Sequence, residues 1–392
     1  RAPMMSIHTV AAGGGSILRF EQDRLQVGPQ SAGADPGPVA YRRGGPLTIT
    51  DANLLLGRLP PQALPAVFGP DGDQPADRAG VQRRFADLAA AMASSSHGIT
   101  PEQVARGALL IAIETMAGAI RRISLEQGHD PRDALLVSYG GAAGQHACRL
   151  AAELGMRRVL LHPLAGVLSA YGIGMAPQSH LAERTIAQPL HVDTLAALVA
   201  VVQELSEEGS RALAAMASGE VEPVVRVQLE LRQRSQERGF VVPWCPGPIA
   251  ADALPQNTAA LVAAYGRRHQ QQYGYAPASS ELIVERVLVE QVLEESLVAP
   301  PMARQPVGEP GALASTPLWS LDTQQWQQVP LWTREALPPG HRLQGPALVL
   351  DPISTLVLEP GWSLRKLANG SLLLESHTPE AATPSASAPA EE

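Results

Sequence analysis

One stretch in the middle of the chain constrains the fold more than any other. An apolar run at 134–137 stops at a loop of small residues, 140–144, and a helix-like stretch then begins near Gln145 and ends at Gly155. A second apolar run, 158–161, follows immediately. A strand, a glycine-rich loop, a helix and a second strand in this order are typical of a parallel α/β layer. The sequence therefore predicts an α/β fold.

The glycines of this loop indicate a place where a ligand can approach the backbone. Glycine has no side chain to obstruct a ligand, and a helix N-terminus offers free N–H groups and positive potential. A lone glycine-rich turn is more often only a tight turn that binds nothing. The chain has three such corners, at 13–15, 33–37 and 140–144. Corners of this kind can hold phosphates through backbone N–H groups, and Mg²⁺ and aspartate can take the place of the phosphate-loop lysine.

Several common kinds of site are excluded by what the sequence lacks. The only lysine is Lys366, so a phosphate loop of the Gly-Lys-Ser/Thr type is absent and a Schiff-base lysine is disfavoured. There is no G-x-G-x-x-G, G-x-S-x-G, H-E-x-x-H or C-x-x-C pattern, which argues against a dinucleotide site, a serine-hydrolase elbow and a patterned metal site. Metal ligands are not identified.

The charge balance and the cysteines restrict partners and location. The net charge of −8 argues against a nucleic-acid partner and against binding to an anionic membrane. The sequence contains no run of about 18 apolar residues, so no membrane span is predicted. Two cysteines, Cys148 and Cys245, cannot build a disulfide framework and suit a reducing compartment, so a cytoplasmic location is predicted. Cys148 is predicted to be a small apolar core residue.

Periodicity divides the chain into five consecutive segments, which mix helices and short strands. They are an α/β segment at 1–185, an α+β region at 186–300, a linker at 301–316, a small β domain at 317–375 and a disordered tail at 376–392. Helices are predicted at 80–93, 101–127, 193–217 and 257–273. Strands are predicted at 7–12, 17–20, 24–27, 224–231, 281–293, 347–350 and 354–358.

Two polar residues near the corners have both a structural and a functional interpretation. His146 lies beside the third corner, where a histidine more often bonds a backbone carbonyl than performs acid–base chemistry. Asp51 is well placed to cap a helix over 52–56, and that role alone is an alternative to a place in a reactive site.

A set of motifs in a fixed order resembles the hydantoinase A/5-oxoprolinase family. The match covers roughly residues 3–375, and its Gly-Gln-His-Ala-Cys stretch is most similar to the bacterial members. The motifs are Ile7-His-Thr-Val-Ala-Ala-Gly-Gly-Gly-Ser16, Ser31-Ala-Gly-Ala-Asp-Pro-Gly-Pro38, Thr50-Asp-Ala-Asn-Leu54, Gly57-Arg-Leu59, Gly128-His-Asp-Pro-Arg132, Tyr139-Gly-Gly-Ala-Ala-Gly-Gln-His-Ala-Cys148, Gly166-Val-Leu-Ser-Ala-Tyr-Gly172, Gly345-Pro-Ala347, Ser354-Thr355 and Pro360-Gly-Trp362.

The resemblance implies an actin-like ATPase fold of the ribonuclease H-like type and an ATP-dependent cyclic-amide hydrolase. ATP would activate the amide carbonyl of a small cyclic substrate by phosphorylation, with Mg²⁺ and a monovalent cation such as K⁺ required. For the 5-oxoprolinase type, 5-oxo-L-proline, ATP and water would give L-glutamate, ADP and phosphate. A B-type, hydantoinase B-like subunit or domain would complete the ring opening.

The same resemblance assigns roles to residues of the three corners. Gly140, Gly141, Ala142 and Gly144 would form the loop that contacts adenosine. The other candidates would lie near the phosphates or the substrate, with the aspartates and the histidine in polar or catalytic roles: Gly13, Gly14, Gly15, Ser16, Asp35, Asp51 and His146.

The chain also departs from the family pattern. The Asp-x-Gly-Gly-Thr phosphate motif and its later repeat do not occur in the 392 residues, Ala143 replaces a usual glycine, and 232–240 lacks an aromatic-then-glycine pattern. The chain is therefore predicted to be the C-terminal part of an A-type subunit, with the N-terminal ATPase half supplied separately and little ATP turnover alone. The alternatives are an N-methylhydantoinase, a related ATP-dependent carboxylase subunit, or a non-catalytic nucleotide-binding or scaffolding remnant.

Overall fold

A computed structural model describes residues 7–60, 63–93, 98–215, 223–244, 254–275, 281–293 and 310–377. The chain forms two compact units, each built from discontinuous segments. The larger unit comprises His8–Ile123, Asp130–Tyr171 and Pro301–Glu392, and the smaller unit comprises Arg1–Ile7, Ser124–His129 and Gly172–Pro300.

The described residues contain helices and strands in an interleaved order. The helices are α1 (Ile49–Leu55), α2 (Arg78–Met92), α3 (Pro101–Glu126), α4 (Ala147–Glu153), α5 (Leu168–Met175), α6 (Val192–Ala214) and α7 (Thr258–Tyr273). The strands are β1 (Ser16–Glu21), β2 (Arg24–Ser31), β3 (Leu136–Val137), β4 (Arg158–Leu161), β5 (Ser179–Pro189), β6 (Val224–Gln233), β7 (Phe240–Pro243), β8 (Leu282–Val292), β9 (Ala314–Trp319), β10 (Trp326–Thr333), β11 (Arg342–Gln344), β12 (Ala347–Asp351), β13 (Ser354–Leu358), β14 (Trp362–Lys366) and β15 (Leu372–Ser376).

The predicted strand–loop–helix–strand unit is confirmed. Strands β3 and β4 pair in parallel, with Val137 opposite Leu160, and α4 connects them. On the other side of β4 the C-terminal strand β15 pairs antiparallel, giving the sheet order β11-β14-β15-β4-β3. The prediction made 317–375 a separate β domain, whereas in the structure three of its strands extend the sheet of the parallel unit. Apolar side chains from both parts, including Val159 and Leu374, form one buried cluster.

The remaining strands of the C-terminal segment form a second sheet of the larger unit. Its order is β13-β12-β10-β9, with β10 and β12 parallel and the outer pairs antiparallel. Strand β9 begins at Ala314, so the end of the predicted linker belongs to this sheet.

The helices before the parallel unit pack on the β1–β2 hairpin, whose two strands were predicted. Helix α3, predicted at 101–127, begins with a capping box, in which Thr100 N donates to Gln103 Oε1 (3.0 Å) and Gln103 N donates to Thr100 Oγ1 (3.3 Å). The predicted start of α1 is wrong. It begins at Ile49 with Thr48 as N-cap, and Asp51 is its third residue rather than its cap.

The smaller unit is an antiparallel sheet with the order β5-β8-β6-β7. Leucines and valines of α6 and α7 join its buried cluster, in line with the alternating pattern of the predicted strands. Strand β5 runs from Ser179 to Pro189, so it crosses the segment boundary predicted after residue 185.

One predicted strand is wrong, and some predictions lie outside the described residues. Residues 7–12 form no strand, and Ile7 is 71% exposed, because this apolar run has no partner strand among the described residues. Cys245, the first part of the linker at 301–309 and the tail from residue 378 lie outside the described residues. None of the helices in the described ranges combines the length and apolarity needed to cross a bilayer.

Candidate functional site

The first and third glycine corners lie close together in the larger unit, and the first corner is hydrogen-bonded to α1. Thr50 donates to Gly14 O through its backbone N (2.8 Å) and its hydroxyl Oγ1 (3.0 Å). A Cβ atom placed on Gly14 would lie 2.8 Å from Thr50 Oγ1 and 3.8 Å from the Ala142 Cβ. Any side chain at Gly14 would collide with the Thr50 hydroxyl, so the packing of the first corner on α1 requires glycine here, whereas Ala142 lies at an ordinary contact distance.

The second corner joins the first through the end of the β2 strand. Ala32 N donates to Gly15 O (2.8 Å), and Gly33 N donates to Ser31 Oγ (3.2 Å). A Cβ on Gly15 would lie 2.7 Å from Ser31 Oγ. The structure therefore brings residues of all three corners to one place, although the third corner is more than 100 positions along the chain from the other two.

At the outer edge of the surface where the three corners meet, two glycines have empty space where a side chain would stand. Gly13 is exposed, and neither Gly13 nor Gly140 has any atom within 4 Å of the position where a Cβ would stand. Gly140 has a φ of +97°, which an L-residue rarely adopts. Unobstructed backbone of this kind can accommodate the phosphates or nucleoside of ATP.

Other corner residues serve packing. A Cβ on Gly144 would lie 2.7 Å from Thr355 O, so this glycine lets the loop rest on β13. The hydroxyl of Ser16 is buried and accepts from Gly13 N (3.0 Å), which fixes the shape of the first corner from within. Gly141 is exposed and Ala142 is half-buried.

Three charged side chains, Arg58, Glu359 and Arg149, form a buried network beneath the third corner. Arg58, only 1% exposed, places Nη2 2.7 Å from Glu359 Oε1 and also donates to Gln145 O (2.5 Å). Arg149 Nη2 lies 3.0 Å from Glu359 Oε2, and the same guanidinium makes two contacts with Asp322. The backbone at Gln145 is thus held by a buried guanidinium that itself is held by a carboxylate from the C-terminal segment.

The network sets the ionisation of the groups around it. Burial raises the pKa of Glu359, but the guanidiniums of Arg58 and Arg149 outweigh it, and the pKa lies below its ordinary value. Glu359 is therefore an anion at neutral pH, which both arginines require. Burial raises the pKa of the Cys148 thiol to about 12, so this cysteine is an inert core residue, as predicted.

His146 lies at the edge of the network. Its Nε2 is 3.4 Å from Asn53 Nδ2, while its Nδ1 and the Asn53 Oδ1 are buried without a hydrogen-bond partner. Burial, reinforced by the positive charge of Arg58, lowers the pKa of His146 to about 3. The ring is neutral at physiological pH and accepts a hydrogen bond from α1, which ties α1 to the start of α4.

The two aspartates occupy different environments. The Asp51 carboxylate is fully buried and accepts from Ala40 N (2.9 Å), Thr48 N (2.8 Å) and Val39 N (3.2 Å). Burial raises its pKa to about 6 against the opposing effect of these donors. Asp51 thus fastens the loop before α1 to the helix. Asp35 is exposed on the loop of the second corner and is the more accessible of the two.

The described residues contain no cluster of side chains of the kinds that ligate metal ions. Across the described ranges, no group of three or more His, Cys, Asp or Glu side chains is placed to hold a metal ion. Of the two candidate aspartates, Asp51 has its oxygens occupied by backbone donors, whereas Asp35, within the second corner, is exposed.

Sequence reasoning did not single out Arg58 or Glu359 as site residues. A signal for Arg58 was present, because an arginine embedded in the apolar run Leu54-Leu-Leu-Gly-Arg-Leu59 has to find a buried partner. Glu359 has no comparable signal, since it lies 301 positions from Arg58.

Two models of one family match the chain. A model described as hydantoinase/oxoprolinase matches residues 1–181, and a model of the hydantoinase/oxoprolinase C-terminal domain matches residues 244–369.

Curated relatives match nearly the whole chain. The 5-oxoprolinase 1 of Arabidopsis thaliana is 33% identical over 367 residues, which are 92% of this chain and 28% of that protein. The caprolactamase subunit alpha of Pseudomonas jessenii is 32% identical over 373 residues, 92% of this chain and 51% of that subunit. The chain thus spans between about a quarter and a half of the length of these relatives.

Two solved structures are similar to the fold. The ATP-dependent caprolactamase of Pseudomonas jessenii superposes with a TM-score of 0.77 at 29% identity, over 96% of this chain and 54% of that chain. A nucleotide-free acetone carboxylase superposes with a TM-score of 0.68 at 19% identity, over 93% of this chain and 52% of that chain. The second likeness concerns the fold alone.

Proposed function

Because this chain belongs to the hydantoinase/oxoprolinase family, we propose that it is part of the A-type subunit of an ATP-dependent cyclic-amide hydrolase that acts on 5-oxo-L-proline. The products are L-glutamate, ADP and phosphate. ATP, when bound, supplies the phosphoryl group that activates the amide carbonyl. A B-type subunit or domain completes the ring opening.

The observation that carries this proposal is the meeting of three glycine corners at one surface. Gly14 contacts Thr50 and approaches Ala142, and at Gly13 and Gly140 the space where a side chain would stand is empty. Phosphoryl transfer depends mainly on positioning and on charge neutralisation, for which backbone N–H groups are suited. In this proposal Gly140, Gly141 and Ala142 face the adenosine, and the first corner faces the phosphates or the substrate.

The buried network supports the proposal because it stiffens the third corner from below. Arg58 fixes the carbonyl of Gln145, directly after the glycine loop, and Glu359 fixes Arg58. The fold follows the actin-like ATPase type in this proposal, since α4 begins directly after the glycine loop between the parallel strands β3 and β4. The charged groups for Mg²⁺, K⁺ and the phosphates come from outside the described residues. A catalytic role of Asp35 or His146 is kept as a prediction.

Substrate-stimulated ATPase activity tests the function. The full-length protein with its B-type partner is assayed with 5-oxo-L-proline, N-methylhydantoin, caprolactam or bicarbonate. We expect 5-oxo-L-proline to stimulate ATP turnover most, with glutamate formed in proportion. Stronger stimulation by another substrate assigns a different member of the family. No stimulation by any of them favours a nucleotide-binding or scaffolding role.

A glycine variant tests the place of the nucleotide separately. Gly13→Ala adds a methyl group where the structure has open space and no positive φ, so the free energy of unfolding stays within about 0.5 kcal/mol. We expect the KM for ATP to rise about tenfold, because the methyl group obstructs the phosphates. Gly118→Ala in α3, also in open space, is the matched control and leaves KM unchanged. An unchanged KM in Gly13→Ala removes the first corner from the nucleotide site.

A further inference from the structure

A second concave region lies in the larger unit and has no role in the proposed reaction. It is a cavity of about 630 Å³ between the loop at 39–45, the turn at 70–77 and one face of α2. This volume is within the usual range for small-molecule sites. Its charged lining residues are Arg42, Arg83, Arg84, Asp77 and Asp87, and we call it the arginine cavity.

One stripe of α2 forms a wall of the arginine cavity. Its members recur at helical spacing, so they share one face of the helix. They are Gly80, Arg83, Arg84 and Asp87. Val81 and Phe85 point the other way into the core, which anchors this wall.

Two of the three guanidiniums are uncommitted. Arg42 donates through Nε to Pro75 O (2.7 Å) and lies 3.9 Å from Asp77 Oδ2, so its position is fixed by the protein. Asp77 in turn accepts from Gly80 N (2.9 Å) as the N-cap of α2. Within the described part of the chain, Arg83 and Arg84 form neither an ion pair nor a hydrogen bond, and both are exposed.

The charges do not balance inside the cavity. Three guanidiniums face two carboxylates, and one of these carboxylates, Asp77, already serves the helix cap and Arg42. Neighbouring guanidiniums repel each other unless an anion lies between them. Because the arginine fork matches the geometry of carboxylate and phosphate groups, an oxyanion with more than one charged group complements this lining.

We propose that the arginine cavity binds a small polyvalent oxyanion, either a polyphosphate or a polycarboxylate, between Arg83 and Arg84. The two guanidiniums donate paired N–H groups to the anion. Arg42 contributes a third positive charge from the opposite wall. The turn at 70–77 lines the cavity beside the anion.

Calorimetric titration of the purified protein at low ionic strength tests this proposal, with pyrophosphate and citrate as the two probes. We expect one probe or both to bind with a 1:1 stoichiometry, and the tighter probe identifies the anion's source as phosphate or carboxylate. Arg83→Gln and Arg84→Gln should each weaken binding about tenfold or more, since each removes charge-assisted hydrogen bonds.

Arg78→Gln is the matched control. Arg78 is an exposed arginine on α2 that lines another face with Leu54 and Gln82, so its loss changes the net charge equally but leaves the arginine cavity intact. Its binding constant should stay within about twofold of the parent. The proposal is overturned if neither probe binds, if binding survives in Arg83→Gln and Arg84→Gln, or if Arg78→Gln weakens it as much as they do.

Discussion

Two regions of the molecule contain linked arginine–carboxylate ion pairs, which are buried in one region and partly exposed in the other. In the larger unit the Arg58 and Glu359 side chains are enclosed, only 1% and 6% exposed, and Arg149, 21% exposed, joins this pair from the surface. In the smaller unit Arg286 bridges Glu230 and Glu183 across three neighbouring strands, and its side chain is 27% exposed. The same chemical groups lie at similar distances in both places.

The difference between the two regions is solvation. Exposed ion pairs contribute little, because water and salt already stabilise the separated charges. A buried pair has lost that solvation, so each charge depends on its partner, and removing one partner leaves a costly charge behind. We infer that the buried network is placed where a fixed geometry matters, directly under the third glycine corner.

Breaking the buried network should have the largest effect. Arg58→Met removes the more buried of the two guanidinium partners of Glu359 and the donor to Gln145 O, and we expect the free energy of unfolding to fall by about 3–5 kcal/mol. Urea unfolding followed by circular dichroism measures this loss. The double variant Arg58→Met/Glu359→Gln should recover part of it, since it removes the buried carboxylate that is left with Arg149 as its one guanidinium partner. A loss below about 1 kcal/mol in Arg58→Met would mean that the network behaves like an exposed pair.

The pH dependence of the free energy of unfolding should show an effect of intermediate size, which comes from His146 at the edge of the buried network. His146 has a folded pKa of about 3, below its unfolded value of about 6.5, so between these values the unfolded chain binds the extra proton. The stabilising contribution of neutral His146 is complete above about pH 6.5. It is lost as the pH falls, by about 1.4 kcal/mol per unit, or up to about 2 kcal/mol on going to pH 5.

Asp51 acts in the opposite direction, so a variant is needed to isolate the histidine. Its pKa is raised to about 6, and between about 4 and 6 its protonation favours the folded state. His146→Gln keeps an acceptor for Asn53 and removes the titration. We expect the parent to lose more stability than His146→Gln between pH 7 and pH 5 in urea unfolding. Equal losses would show that His146 is solvated in the folded protein.

Local signals explain what the sequence could predict. The parallel β3–α4–β4 unit follows from an apolar run, a glycine loop and a second run within 30 residues, and the capping box at Thr100 and Gln103 fixes the start of α3. Asp51 misled the placement of α1, because the true cap is Thr48 and Asp51 forms the other half of the capping box.

Long-range pairing explains what the sequence could not predict. Leu372 pairs with Leu161 across more than 200 positions, so nothing local places β15 beside β4. The run at 7–12 was predicted as a strand from its apolarity, but a strand needs a partner, and none is present among the described residues. The glycine corners were identified from composition and the family motifs. Their contact with each other, and the burial of Arg58 against Glu359, depend on the assembled fold.

The smallest effect is expected for the partly exposed ion pairs of the smaller unit. Arg286 lies opposite Glu230 in the β6–β8 pairing, with Nε 2.7 Å from Glu230 Oε2 and Nη1 3.0 Å from Glu183 Oε2. Because the side chain remains partly hydrated, Arg286→Gln should lower the free energy of unfolding by less than about 1 kcal/mol, and 1 M NaCl should remove most of the difference. Parallel urea titrations at low and high salt measure both quantities. The contrast between the two regions is contradicted if Arg286→Gln loses as much free energy of unfolding as Arg58→Met, or if its loss persists in 1 M NaCl. Burial would then not explain the difference between the two sets of ion pairs.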